Sequence, residues 1–202
     1  MMHPEPEIDA GVACVARLFD DARTFGAWRA GGLSEAIIRR LYDALRLGPT
    51  ANNCAPARFV FVASAEAKAR LEPHLSEGNK PKMRAAPVCV IIGHDLDFHT
   101  KMGALFPHKP ETAAVLAADP ARAREVAFRN SSLQGAYLIM AARALGLDCG
   151  PMSGFNNSGV DQEFFAGTQI KSNFLCNIGY GDRRALRPRL PRLCFEEACE
   201  VV

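Results

Sequence analysis

The stretch from Asp119 to Gly146 constrains the fold more than any other part of the chain. Asp119 followed by Pro120 starts a helix. The carboxylate can accept from free first-turn amides, and a proline at the first helical position lacks only a donor that would have no partner. Behind it, Val126, Leu133, Tyr137, Met140, Ala141 and Ala144 trace one apolar face as far as Gly146. At roughly 25 residues this helix is long enough to cross a small domain or reach a partner. Ala127, Ser131, Ser132, Gly135 and Ala136 are small, so a second helix can approach closely and a dimer core is expected here.

Shorter elements flank it. A helix is expected over 11–22, with Val12, Val15, Ala16 and Phe19 on one face. A second opens at Ser34, carries Ile37, Ile38, Leu41, Ala44 and Leu45, and stops at Gly48-Pro49, delivering the chain into the polar loop Thr50–Pro56. Arg58–Ala63 reads as a strand, Ser64–Leu71 as a short helix, and Pro87–Gly93, rich in Val and Ile, as a central strand. The segment 95–110 has little periodicity and reads as a mobile loop or lid. Leu147–Cys149 and Asn173–Tyr180 read as strands and Gly159–Phe165 as a helix, before a tail rich in Pro and Arg. Helices outnumber strands without alternating strictly with them, which favours α+β over a doubly wound α/β sheet. With no repeat or low-complexity tract, one domain over 1–202 is expected.

Composition narrows the partners. The 202 residues, 49% hydrophobic, suffice for a core without metal staples. Lys+Arg at 24 against Asp+Glu at 22 leaves +2, too balanced for a nucleic acid or a membrane to be the main partner. Any positive charge that matters must be local. Seven cysteines with no Cys-x-x-Cys pair indicate neither a disulfide framework nor a zinc knuckle, and reduced thiols are the simplest reading. The start, with Glu5, Glu7 and Asp9, lacks the basic and apolar parts of a signal peptide, and the apolar Leu138–Ala142 is soon followed by Arg143. A cytoplasmic location is therefore expected.

Familiar catalytic motifs are missing. There is no G-x-x-x-x-G-K-[ST], and Gly179-Tyr180-Gly181 lacks the third glycine and following helix of a dinucleotide fingerprint. His94, Asp95, Asp97 and His99 form the densest metal-like cluster, but four-residue His spacing serves a metal only on a helix, and Gly93 with its strand context argues against one. Cys54 with His74 or His108 as base is a pairing on paper; buried structural thiols are commoner than nucleophiles. What remains is four polar or basic patches spread along the chain: Ala22-Arg23-Thr24, Pro49-Thr50-Ala51-Asn52-Asn53, Asn79-Lys80-Pro81-Lys82 and Arg187-Pro188-Arg189. Scattered patches of this kind suit a large ligand carrying one phosphate.

At these residues the chain resembles a known family. GPTANNCAPARFVFV is similar to the Pro-Ser-Ser-x-Asn-x-Gln-Pro segment of nitroreductase-type FMN enzymes, and the likeness continues through GNKPKMRAAPVCVII, FRNSSLQGAYLIMAARALGLDCGPMSGF and LCNIGYG…RPRLPR. Arg129-Asn130 and Gly150–Phe155 are especially similar to the malonic semialdehyde reductase branch of bacterial pyrimidine utilisation. The resemblance implies a nitroreductase-like α+β fold, a central, mostly antiparallel sheet flanked by helices, in an intertwined homodimer with shared active sites.

It also implies FMN as cofactor, with NADH or NADPH as donor. Arg23 and Thr24, with Arg187 and Arg189, would surround the FMN phosphate and ribityl chain. Asn79 and Lys82 would lie by the pyrimidine edge, where a cation favours the reduced ring. Pro151, Met152, Ser153 and Gly154 would pass over the ring, with a main-chain N–H facing flavin N5 and the small Gly154 permitting the approach. Pro49, Thr50, Asn52 and Asn53 are expected from the other subunit. No side-chain catalyst is implied, since flavin N5 carries the hydride in a ping-pong cycle. The acceptor implied is a small aldehyde, quinone or nitro compound. For malonic semialdehyde, Arg129, Arg58 or Lys101 could meet the carboxylate.

Three positions depart from the family pattern. Ala55-Pro56-Ala57 stands for Gln-Pro-Trp, Ser153 for a frequent acidic residue, and Gly26 for a frequent basic one. They put nitroaromatic reduction and the charge around the flavin in question. The rival readings are a broad quinone or nitro reductase, a non-catalytic flavin-binding protein, and a metal protein built on His94 and His99. Tyr137 and Trp28 read as packing residues.

Overall fold

The computed structural model describes residues 8–202. The acidic start at Glu5 and Glu7 lies outside the described residues, as does the side chain of Asp9. The sheet has four antiparallel strands in the order β1-β2-β4-β3: β1 (Ala57–Val62), β2 (Val88–Asp95), β3 (Asp148–Met152) and β4 (Ile170–Gly179). β2 is central, as its run of Val and Ile predicts, and both its faces are buried. Val88, Val90 and Ile92 join one core with Leu41, Leu45, Leu138, Ala142, Cys176 and Ile178. Cys89 and Ile91 join a second core on the opposite face with Leu71, Met83, Val160 and Leu175. This is the period-two geometry of a strand covered on both sides.

Helices supply the covers. On the first face lie α2 (Glu35–Leu45), whose Ser34 cap accepts from the Ile37 amide at 3.3 Å, and α7 (Pro120–Ala144). On the second lie α3 (Ala65–Leu71), α4 (Lys80–Ala85) and α8 (Asn157–Phe164). α7 begins where expected, with Asp119 Oδ1 accepting from the Arg122 amide at 3.0 Å, and runs for 25 residues.

Its buried face differs from the expected apolar stripe. Ala123, Ala127, Asn130, Ser131, Gln134, Gly135, Leu138 and Ala142 point inward, while Leu133 is exposed. Within the chain, Gly135, Ser131 and Ser132 admit the sheet, while Ala136 is exposed. A Cβ on Gly135 would stand 2.4 Å from Phe174 Cζ of β4, and Asn173 Nδ2 donates to the hydroxyls of Ser131 and Ser132 at 2.8 and 2.9 Å.

Two further expectations are corrected. The first helix covers α1 (Ile8–Val15) and continues as a π turn over Ala16–Asp20, where the Asp21 amide donates to the Ala16 carbonyl at 2.8 Å. Its bounds thus fall a few residues earlier than 11–22, and Val12, Val15 and Phe19 of its apolar face are exposed on the chain. The segment 95–110 is not a free lid: a 3-10 turn at Phe98–Lys101 leads into α5 (Met102–Leu105), followed by α6 (Glu111–Ala118). Phe98, Met102 and Leu116 pin it into a third core with Cys54, Ala123 and Ala127. Three anchors spread over some twenty residues were too sparse to register as a period, yet each is fully seated.

The close approach at Gly135 gives a direct test. Gly135→Val should lower stability by about 1–3 kcal/mol through overpacking against Phe174, read as a lower urea midpoint. An unchanged midpoint would show that α7 does not press on β4.

Candidate functional site

β3 has a strand neighbour on one side only, and the N-terminal segment closes the other. The Phe25 amide donates to the Cys149 carbonyl at 3.0 Å, and Thr24 bridges to Cys149 in parallel. A Cβ on Gly150 would stand 2.2 Å from the Phe25 carbonyl oxygen, so only glycine admits this pairing. The chain leaving β4 returns alongside, with the Asp182 amide donating to the Ala27 carbonyl at 3.0 Å. The tail then folds back over residues 20–23. Arg189 Nη2 donates to the carbonyls of Asp20 and Ala22 at 2.5 and 2.9 Å, and Arg23 Nη2 to the Arg187 carbonyl at 2.6 Å.

The result is an open cleft of about 1240 Å³ along the edge of β3. Ten of the fourteen residues expected to hold a ligand line it: Arg23, Thr24, Asn79, Lys82, Pro151, Met152, Ser153, Gly154, Arg187 and Arg189. Four patches remote in sequence thus become three that share one cavity. At one end, the Gly154 carbonyl is held by the Ser76 amide at 3.0 Å, the Ser76 hydroxyl at 2.8 Å and Asn79 Nδ2 at 3.0 Å, while Asn79 Oδ1 accepts from Lys82 Nζ at 3.2 Å. The small size of Gly154 serves this packing. A Cβ there would meet Ser76 Oγ at 2.6 Å and Asn79 Nδ2 at 2.8 Å, on the side of the supporting loop. Gly26 lies beside the Lys82 stem, which would be in ordinary van der Waals contact, 3.5 Å, with a Cβ there.

The cleft is cationic. Asp182, one of its two carboxylates, is occupied by Arg184, whose side-chain hydrogen bonds hold the acid below its usual range. Arg143, from the last turn of α7, and Arg192 line the cleft as well, and sequence reasoning named neither as a site residue.

Pro49, Thr50, Asn52 and Asn53 do not line this cleft. They precede β1, at the opposite edge of the sheet, three strand spacings or about 14 Å across. α7 holds their loop firmly. Asn130 Oδ1 accepts from the Ala51 amide at 2.8 Å, Gln134 Oε1 from the Ala57 amide at 2.8 Å, and the Tyr137 hydroxyl donates to the Pro49 carbonyl at 2.8 Å. Tyr137 is therefore more than packing. Asn52, Asn53 and Ala55 take left-handed conformations with φ of 52°, 51° and 38°, and Thr50 Oγ1 accepts from the Ala55 amide at 3.1 Å. Asparagine tolerates that region better than other side chains. Buried Asn130 and Gln134 on a helix otherwise read as apolar were the signal for this support.

The other candidates fall outside the cleft. Burial pushes the Cys54 thiol up, away from a reactive thiolate. Asp95 pairs with Arg58 at 2.6 Å, and among the described residues no group of three or more His, Cys, Asp or Glu is placed to hold a metal ion. Among the described residues no helix is long and apolar enough to cross a membrane. Of the cations considered for a substrate carboxylate, Arg129 pairs with Glu125 on an exposed helix face, and Arg58, Arg129 and Lys101 all stand away from the cleft.

A model described as the nitroreductase family matches residues 29–180. The chain belongs to the nitroreductase family. A relative from Stenotrophomonas maltophilia, provisionally named an NADH dehydrogenase/NAD(P)H nitroreductase, is 57% identical over 189 residues, covering 94% of this chain and 96% of its own. One from a Caulobacter species with the same provisional name is 56% identical over 190 residues, covering 94% and 97%. Among solved structures, a provisionally assigned nitroreductase from Bacillus subtilis superposes with a TM-score of 0.86 at 19% identity, over 95% of this chain and 100% of its own. Another, from Exiguobacterium sibiricum and in complex with FMN, gives 0.79 at 16% identity over 100% of both chains. The α+β fold of this nitroreductase-family chain, an antiparallel four-stranded sheet between helices, is the fold of those structures.

His94 offers a pH test independent of the cleft. It is buried, its Nδ1 has no partner among the described residues, and its ring meets Phe128 edge-on. Desolvation holds its pKa below the usual value near 6.5, aided by Arg124 and Lys171 and opposed by Asp161. The unfolded chain therefore takes up a proton before the folded one does, and stability falls as pH drops through about 6.5. Denaturation midpoints should be lower at pH 5.5 than at pH 7.5, and His94→Gln should shrink the difference; an unaltered difference refutes the assignment.

Proposed function

We propose that this chain is an FMN-dependent oxidoreductase that takes electrons from NADH or NADPH and delivers them to a small electrophilic acceptor. The convergence of Arg23, Arg187 and Arg189 with Asn79 and Lys82 on one cleft carries this reading. A phosphate monoester calls for guanidinium donors and a hydroxyl, which Arg23, Thr24, Arg187 and Arg189 would supply. The carbonyls that now accept from Arg23 and Arg189 are neutral acceptors, which a dianion outcompetes. At the other end, Lys82 and Asn79 would serve the pyrimidine edge, where a fixed cation stabilises developing negative charge. Pro151–Gly154 would offer main chain to the ring. When bound, FMN supplies two-electron transfer between a nicotinamide donor and the acceptor in separate half-reactions.

The distant loop argues for a homodimer. Pro49, Thr50, Asn52 and Asn53 would complete the cleft of a second copy, since α7 holds them rigidly with Asn52 and Asn53 exposed. The exposed Val12, Val15, Phe19, Phe128 and Leu133 provide apolar surface for that copy to cover.

For the acceptor, the likeness of Arg129-Asn130 and Gly150–Phe155 to the malonic semialdehyde branch supports reduction of that aldehyde to 3-hydroxypropionate in pyrimidine catabolism. With Arg58 committed to Asp95 and Arg129 to Glu125, its carboxylate would be met by a cleft cation or by the second copy. A broad NAD(P)H nitro- or quinone reductase is the second reading, favoured by the provisional names of relatives 57% identical to this chain.

An anaerobic titration tests both. FMN-loaded protein should bleach on addition of NAD(P)H and regain its colour with malonic semialdehyde, faster than with a nitroaromatic. Faster recovery with the nitroaromatic selects the second reading. FMN that binds but is never bleached marks a flavin-binding protein and overturns the enzyme assignment. Initial-rate plots should be parallel, and Arg23→Ala should weaken FMN about tenfold or more, the scale of one lost charge-assisted hydrogen bond.

A further inference from the structure

We infer that Arg143 is an additional phosphate-holding residue of the cleft, an inference that rests on the FMN reading above. Arg143 lines the same cavity as Arg23, Arg187 and Arg189. Those three come from extended segments at the two ends of the chain, whereas Arg143 stands in the last turn of α7, packed on the sheet. Among the arginines that line the cleft, it is the one carried by a regular helix.

Its own hydrogen bonding is incomplete. Nη1 donates to the Leu18 carbonyl at 2.7 Å, and the Arg17 side chain caps the Arg143 carbonyl at 3.0 Å. Nε is buried with no partner, and the guanidinium forms no ion pair among the described residues. A half-buried guanidinium with idle donors and no carboxylate is costly unless an anion meets it. The fold tolerates the cation because the C-terminal end of a helix favours positive charge. The same helix end would repel a phosphate were Arg143 neutral. The Leu18 contact holds the guanidinium at Nη1 and the Arg17 cap holds the main chain, so Nη2, which has no partner among the described residues, would meet the ligand.

The test uses cofactor-free full-length protein titrated with FMN and with riboflavin, which differ by the phosphate alone, followed by flavin fluorescence. Wild type should bind FMN more tightly than riboflavin. Arg143→Met should weaken FMN by about 10- to 100-fold while leaving riboflavin unchanged, and Arg143→Lys should recover part of the loss. Should the Met variant fail to fold, Arg143→Gln retains a donor for the Leu18 carbonyl and should show the same selective loss. Unchanged FMN affinity overturns the inference, and so does an equal fall for both ligands, which would mark Arg143 as a support for the first helix only. If wild type itself binds the two flavins equally, the phosphate site at Arg23, Arg187 and Arg189 is refuted, and the role of Arg143 with it.

Discussion

The outer edge of β3 is finished by a few residues of irregular chain rather than by another strand, and the site depends on that contact. Thr24 and Phe25 reach the main chain of Cys149 only because Gly150 offers no Cβ to the Phe25 carbonyl. The pairing satisfies backbone groups of an edge strand that would otherwise be open to another chain. It also brings Arg23 and Thr24 beside Pro151–Gly154. A side chain at residue 150 would push the N-terminal segment away, and the cleft would lose one wall.

The tail closes the cavity by a different device, arginine side chains seated on main-chain carbonyls. Arg189 holds Asp20 and Ala22, Arg23 holds Arg187, and Arg143 holds Leu18. The carbonyls of Leu18, Asp20 and Ala22 lie in and just after the π turn, where the wider winding alters which groups find partners within the helix. Guanidinium groups gathered on neutral acceptors are near one another without being neutralised. A dianionic ligand entering such a cluster meets donors already gathered, so little side-chain ordering remains to oppose binding.

Elements with strong local signals were legible in the sequence. Ser34, Ser64 and Asp119 each cap the helix they precede, and the unbroken apolar run of β2 marks a strand buried on both faces. Elements anchored by isolated side chains were not. Phe98, Met102 and Leu116 order a segment that reads as a lid, because three seated residues without a period leave no pattern. The stripe on α7 misled for a related reason. A helix lying on a sheet buries whatever residues bring its backbone close, here Ala127, Ser131 and Gly135, and its larger apolar residues can be left outside.

Residue chemistry, by itself, determined the type of ligand: separated arginines, a lysine and amides, with no nucleophile, metal cluster or phosphate loop to compete with them. Local sequence likewise determined most helix starts and the central strand, since caps and two-residue periodicity act within a few bonds. Tertiary structure alone decided that Arg23, Lys82, Pro151–Gly154 and Arg189 share one cavity, while Pro49–Asn53 stand at the far edge of the sheet. It alone added Arg143, whose position in the last turn of a helix carries no local sign that the chain's two ends gather around it. Strand order and the return of the tail settle those distances; β2 and β4 pair residues as far apart as Val88 and Ile178, and the tail packs on segments more than a hundred residues away.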